Sequence, residues 1–234
     1  MKTALKMVVL SSVLGVMAQA STIALTFEGL RNGEEVLNYY NGGFGSDGSG
    51  PGPNYGITFN SDAQAFTQDE VGGSGNESGL PSPVTSLIFL NGSAATMNVP
   101  AGFTTGFSFY YSAIADPGTI NVWSGLNDTG TLLATLTLPV TPSEVGSNPQ
   151  CTMADEPFCP FFPFGVSFSG TAMSVDFGGT VNEIAFDNIT LGSSVPVGNA
   201  PEPITFGLTA VGCALLMVIY KLNRRSDGVI QIRS

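Results

Sequence analysis

Apolar and polar positions alternate with a period of two in many short runs of this chain, the pattern of strands with one buried face. Thr22–Phe27 (TIALTF) predicts a first strand, and Val36–Tyr40, Tyr55–Phe59 (YGITF) and Ala63–Thr67 predict short ones after it. Val84–Leu90 (VTSLIFL) reads as a buried strand, joined to Ala94–Val99 through a tight hairpin at Asn91-Gly92, since Asn-Gly supplies the positive φ such a turn requires. In Phe103–Ser112 the rings of Phe103, Phe107, Phe109 and Tyr111 share parity and face one side. Gly118–Trp123 and Leu132–Leu138 predict a second hairpin around residues 125–130. Val166–Phe168, Ala172–Phe177 and Asn182–Leu191 complete the series. The stretches Asn41–Pro53 and Asp69–Pro83 are Gly/Ser/Pro loops, and Thr141–Phe164 is a long insertion. Some ten to twelve short strands with turn residues between them predict an all-β domain, a jelly-roll-like β-sandwich of the lectin or carbohydrate-binding-module type.

Two stretches break the alternation. Met7–Met17 is apolar, follows Lys2 and Lys6, and precedes Ala18-Gln19-Ala20. That order is the pattern of a secretory signal peptide over residues 1–20, with Ser21 as the mature N-terminus after signal peptidase. Ile204–Tyr220 is a run of 17 uncharged residues followed by Lys221, Arg224 and Arg225. It is just long enough for a transmembrane helix, and the basic cluster marks the cytoplasmic side. The expected order is signal peptide 1–20, sandwich 21–195, linker 196–203, membrane helix 204–220 in lipid, and basic tail 221–234. Everything before Pro201 is then outside the inner membrane.

Charge sharpens that view. Of 7 Lys and Arg only Arg31 lies in residues 21–200, against 16 of the 18 acids, a net charge of −15 for this part. Such a surface has nothing to neutralise phosphates and excludes nucleic acid as a partner. Cys151 and Cys159 flank the segment TMADEPF; outside the cytoplasm so close a pair predicts a disulfide. A metal site is the weaker reading of this pair, since the chain has no His and no second Cys pair. Cys213 falls within the membrane run as an apolar filler.

The triplet Pro201-Glu202-Pro203, the apolar run and the Lys/Arg end together resemble the sorting tail of PEP-CTERM proteins of Gram-negative bacteria. The tail departs from the family pattern by continuing through Ser226–Ser234. The resemblance implies an inner-membrane precursor, cut by an exosortase at the triplet and passed to the cell surface or extracellular matrix. The body phrases LTFEGL, NYGITF, GTINVWSGLNDTGTLLATLTL and VNEIAFDNITL are similar to the extracellular β-sandwich of many such proteins. What this implies is a structural or adhesive role with exopolysaccharide or biofilm. The alternative is a carbohydrate-binding module for one glycan.

Chemistry-bearing residues are few. In jelly-roll carbohydrate-binding modules an acid near the first strand and one in the last share a structural Ca²⁺. The resemblance implies that role for Glu28, in LTFEGL, and Asp187, in IAFDNITL. Hard carboxylate oxygens from neighbouring strands suit that ion. Asp69-Glu70 and Asp155-Glu156 are adjacent acids whose side chains point apart, unlike the facing pair of a glycosidase. With no His there is no usual general base, and no phosphate-cradling motif occurs, so no enzyme is expected. Rings that can meet a pyranose face are Trp123, Tyr110, Tyr111, Tyr39, Tyr40 and Tyr55. Tyr39 and Tyr40, beside the Gly loop, are the preferred ligand-binding patch, and Trp123 is expected in the core.

Overall fold

The computed structural model describes residues 22–151 and 157–198. The expected signal peptide, Pro-Glu-Pro triplet, membrane run and basic tail lie outside the described residues. Among the described residues no helix is long and apolar enough to cross a membrane.

The domain is all-β and built of two sheets. Among the described residues there are twelve strands: β1 Ile23–Leu25, β2 Glu34–Glu35, β3 Thr58–Phe59, β4 Gln64–Thr67, β5 Thr85–Ile88, β6 Ala94–Phe103, β7 Gly106–Ala113, β8 Gly118–Trp123, β9 Leu132–Leu138, β10 Phe162–Ser167, β11 Ala172–Gly178 and β12 Ile184–Leu191. Seven form one sheet in the order β10-β7-β12-β5-β4-β2, with β1 also on β12; five form the other, β3-β6-β11-β8-β9. Every pairing between these strands is antiparallel.

Aromatic parity builds the core. Phe107, Phe109 and Tyr111 on β7 point inward, as their spacing predicts. Phe177 on β11 meets them from the opposite sheet, with ring centroids 5.9 Å from Phe107, 6.5 Å from Phe109 and 5.2 Å from Phe186 on β12. Such ring pairs add about 0.5–1.5 kcal/mol each beyond the area they bury. A smaller cluster of Ile88, Phe158, Phe161 and Ala185 forms where part of the 141–161 insertion packs on the seven-stranded sheet. Cys151 and Cys159 are joined in a disulfide in that insertion.

Asn91-Gly92 does not close a hairpin: β5 pairs with β4 and β12, β6 with β3 and β11, so the turn carries the chain from one sheet to the other. Val36–Tyr40 is a turn, and the adjacent strand is Glu34–Glu35. Phe103 ends β6 and not β7, because Thr104 and Thr105 turn the chain between them. Trp123 is half-buried rather than core. Its neighbour Val122 takes the inward position, so the indole lies on the outer face of the five-stranded sheet. The hairpin of β8 and β9 forms as read.

Candidate ligand-binding site

Strand β12 has β7 along one edge and two partners in succession along the other. β1 pairs with its C-terminal part, Ile189–Leu191, and β5 meets it at Phe186. Asp187 and Asn188 fall between these pairings, where the register with β7 also shifts and Asn188 adopts φ +48°. A bulge of this kind re-aims a side chain. Here it puts the Asp187 carboxylate, fully buried, against the loop before β5. The Ser82 N–H donates to Oδ2 at 2.9 Å, the Ser82 hydroxyl reaches both oxygens at 2.8 Å, and the Asn188 N–H donates to Oδ1 at 2.6 Å.

Glu28 follows β1 and comes close enough to Asp187 for its charge to disfavour ionisation of the Asp187 carboxyl. Its Oε1 accepts the Thr85 N–H at 3.0 Å. Burial pushes the Glu28 carboxyl up to about 7 against the pull of that bond. Burial, with a smaller part from Glu28, also raises Asp187 to about 7, against the Ser82 and Asn188 hydrogen bonds. The two residues expected to share Ca²⁺ are thus brought together. Yet the oxygens of Asp187 are met by N–H and O–H donors, whose positive ends oppose a cation. The described residues hold no group of three or more His, Cys, Asp or Glu arranged for a metal ion. The donor set fits a carboxylate held by hydrogen bonds, not a calcium ligand.

Tyr39 and Tyr40 lie beside this cluster, and they are not a surface patch. Both are buried, at 8% and 3% exposed. Tyr39 donates its hydroxyl to the Glu28 carbonyl at 2.9 Å, and the Tyr40 hydroxyl accepts the Phe27 N–H at 2.6 Å. Tyr40 packs edge-on against Phe27 and Tyr39. Burial pushes its phenol far above the usual range. A pyranose cannot reach either ring.

The same turn is tied down by Glu34, which gave no sequence signal. Its buried carboxylate accepts N–H groups from Arg31 at 2.8 Å, Asp47 at 2.8 Å and Ser49 at 3.0 Å. Burial opposes ionisation, but these bonds and the Ser49 hydroxyl outweigh it and hold the carboxyl below its usual value. The Gly-rich loop 41–53 is therefore fastened at its centre although it has no regular structure.

A third tyrosine faces solvent. Tyr55 is 42% exposed. Its ring lies nearly parallel to Tyr40, 13° between planes and 6.2 Å between centroids, and its N–H donates to the Tyr40 carbonyl at 2.8 Å. It lines an open cavity of about 460 Å³ at one end of the sandwich. The wall is completed by Thr22 and Ile23 at the start of β1, Val99, Ala101, Gly102 and Phe103 of β6, Thr104 and Thr105, Thr171 before β11, and Leu191 and Gly192 at the end of β12. Thr105 holds φ +74°, rare for a β-branched residue, and donates its hydroxyl to the Gly192 carbonyl at 2.8 Å, locking the rim. Gly102, at φ +71°, has no space for a side chain: a Cβ there would sit 2.4 Å from Thr171 Cγ2. Tyr55 was among the candidate rings, but only the fold distinguishes it from its neighbours.

No family model matches the chain, and no curated protein matches it. Solved structures similar to it include the K2 cleaved adhesin domain of Lys-gingipain, at 12% identity over 74% of this chain and 100% of that one, TM-score 0.44. The C-terminal family 6 carbohydrate-binding module of a marine laminarinase from Zobellia galactanivorans matches at 14% identity over 58% and 90%, TM-score 0.32. A carbohydrate-binding module of Cellvibrio mixtus lichenase 5A, solved with cellotriose, matches at 11% identity over 57% and 88%, TM-score 0.31. The likeness is one of all-β architecture, and nothing about ligand or activity follows from it.

Proposed function

We propose that this chain is an exported, non-catalytic binding domain of the cell envelope or extracellular matrix, and that it binds carbohydrate. The observation that carries the reading is the open cavity at the end of the sandwich, where an exposed tyrosine ring stands among threonines. Sugar sites combine a ring for the apolar pyranose face with polar groups for the hydroxyls. A domain serving only as matrix filler has no need of such a concavity, which favours glycan recognition over a purely structural role. The paired carboxylates Glu28 and Asp187 support no hydrolysis: Asp187 is fully buried and committed to Ser82 and Asn188.

In this reading the two-sheet domain is a jelly-roll-like display unit. Signal peptidase frees Ser21, residues 204–220 hold the precursor in membrane lipid, and an exosortase acts at Pro201-Glu202-Pro203. The motifs at both ends of the sequence support that route. Affinity electrophoresis of the full chain in gels containing soluble polysaccharides tests the function. Retardation by at least one polysaccharide is expected, and unaltered mobility in every one overturns the proposal. Mass spectrometry of protein recovered from its host tests the route, with termini expected at Ser21 and near Pro201.

A further inference from the structure

We infer that the cavity beside Tyr55 takes an uncharged sugar residue, so that the preferred ligand is a neutral hexose glycan. The inference rests on the carbohydrate reading and adds the class of sugar and the residues that hold it. Chemistry at the wall decides the class. Of the twelve lining residues none carries a carboxylate, an ammonium or a guanidinium. A uronate or sulfated sugar would find no cation there. It would also approach a region that has one Arg and 16 acids over residues 21–200. A cationic ligand would find no partner carboxylate in the wall. Burying a charge without a partner is costly, so the wall selects against both signs.

Neutral does not mean apolar. The hydroxyls of Thr22, Thr104 and Thr171 take no hydrogen bond among the described residues, while all three side chains border the cavity. They offer both donors and acceptors, as sugar hydroxyls require. The ring is set in advance. Residue 54, just before it, bridges to Asn41, its own N–H is held by the Tyr40 carbonyl, and Tyr40 is fixed by burial and by Phe27. A ring held this way loses little freedom when a sugar stacks on it. The volume of about 460 Å³ falls within the roughly 300–1,000 Å³ of small-molecule sites.

Titration calorimetry of the full chain in detergent provides the test, with neutral gluco- and manno-oligosaccharides in one arm and oligouronates in the other. Neutral oligosaccharides are expected to bind and oligouronates not to. Tyr55→Ala should weaken binding about tenfold or more, while Tyr55→Phe, which keeps the ring, should bind nearly as wild type. The pair Thr104→Val with Thr171→Val should weaken it several-fold. Phe44→Ala, which removes a more exposed ring outside the cavity, should leave it unchanged. Cooperative unfolding of every variant, well above the temperature of the titration, confirms that the fold survives. Binding of oligouronates alone overturns the sugar class and leaves the carbohydrate reading standing. Neutral binding that survives Tyr55→Ala overturns the site but not the class. Binding of no sugar overturns the inference together with the reading beneath it.

Discussion

Two tyrosine-bearing regions sit side by side and differ in one respect. Around Tyr39 and Tyr40 the polar atoms that matter have partners inside the protein: the Glu28 carbonyl, the Phe27 N–H, and Asp187 with Ser82. Around Tyr55 the ring is open to solvent and three threonine hydroxyls make no hydrogen bond among the described residues. Residue types alone would favour the first region, which holds two carboxylates and two rings. Satisfaction favours the second. A group already hydrogen-bonded within the fold has little left for a ligand, and breaking such a bond to bind one costs what binding would gain.

The sharpest way to break this contrast is to remove Asp187. Asp187→Ala leaves the Ser82 and Asn188 N–H groups buried without an acceptor and should destabilise the domain by about 3 kcal/mol, measured by denaturant unfolding. A variant as stable as wild type would show that this cluster is not structural. Loss of the disulfide comes next. The two half-cystines are 8 residues apart, and closing so short a loop in the unfolded chain stabilises by roughly 2.5 kcal/mol at most. The Cys159 Sγ lies near Gly79 and Phe158 bridges to Glu77, so Cys151→Ser with Cys159→Ser should loosen the loop that carries Ser82. Hydrogen exchange at residues 77–85 should rise while that at Tyr55 stays unchanged.

Acidity separates the two regions in another way. Glu28 and Asp187 both have folded values near 7, above those of the unfolded chain. The folded state therefore holds protons more tightly, and stability falls as pH rises from about 4.5 to 7. The only Arg of this part gives no relief, because its guanidinium donates to the Asp47 carbonyl. The melting temperature should be higher at pH 5 than at pH 8, and Asp187→Asn should flatten the difference. Below about 4.5 protonation of Glu34, whose carboxyl is held low, reverses the trend. Affinity for a neutral sugar should stay level across the same range.

The smallest effects fall on the open side and on metal. Tyr55→Ala should lower stability by about 1 kcal/mol, because it removes the ring pair with Tyr40. Chelator should leave the melting temperature unmoved, since the oxygens of Asp187 already accept protein donors. A drop of several degrees would show that Glu28 and Asp187 hold a cation after all.

Local pattern was sufficient where local chemistry decides. The inward rings of β7 and the β8–β9 hairpin follow from side-chain alternation and from turn residues close in sequence. The Cys pair was readable because eight residues separate its members. Asn91-Gly92 does not reveal the next pairing, because a turn residue fixes the bend, not the strand that is met after it. The outward position of Trp123 is not legible in the same way, because alternation shows that two faces differ, while burial of the bulkiest ring is only a tendency. Ser82 went unnoticed because its partner is 105 residues away.

The sequence by itself determined an all-β domain, an acidic surface, a bonded cysteine pair and the rings from which a site can be chosen, because periodicity, charge and short loops are written within a few residues. The tertiary structure decided which of three neighbouring tyrosines are core and which of them faces solvent. Tyr39, Tyr40 and Tyr55 are chemically alike, and exposure depends on how distant strands close over a side chain. It also decided that Asp187 answers Ser82, because a bulge on the last strand, and no nearby residue, turns that carboxylate inward.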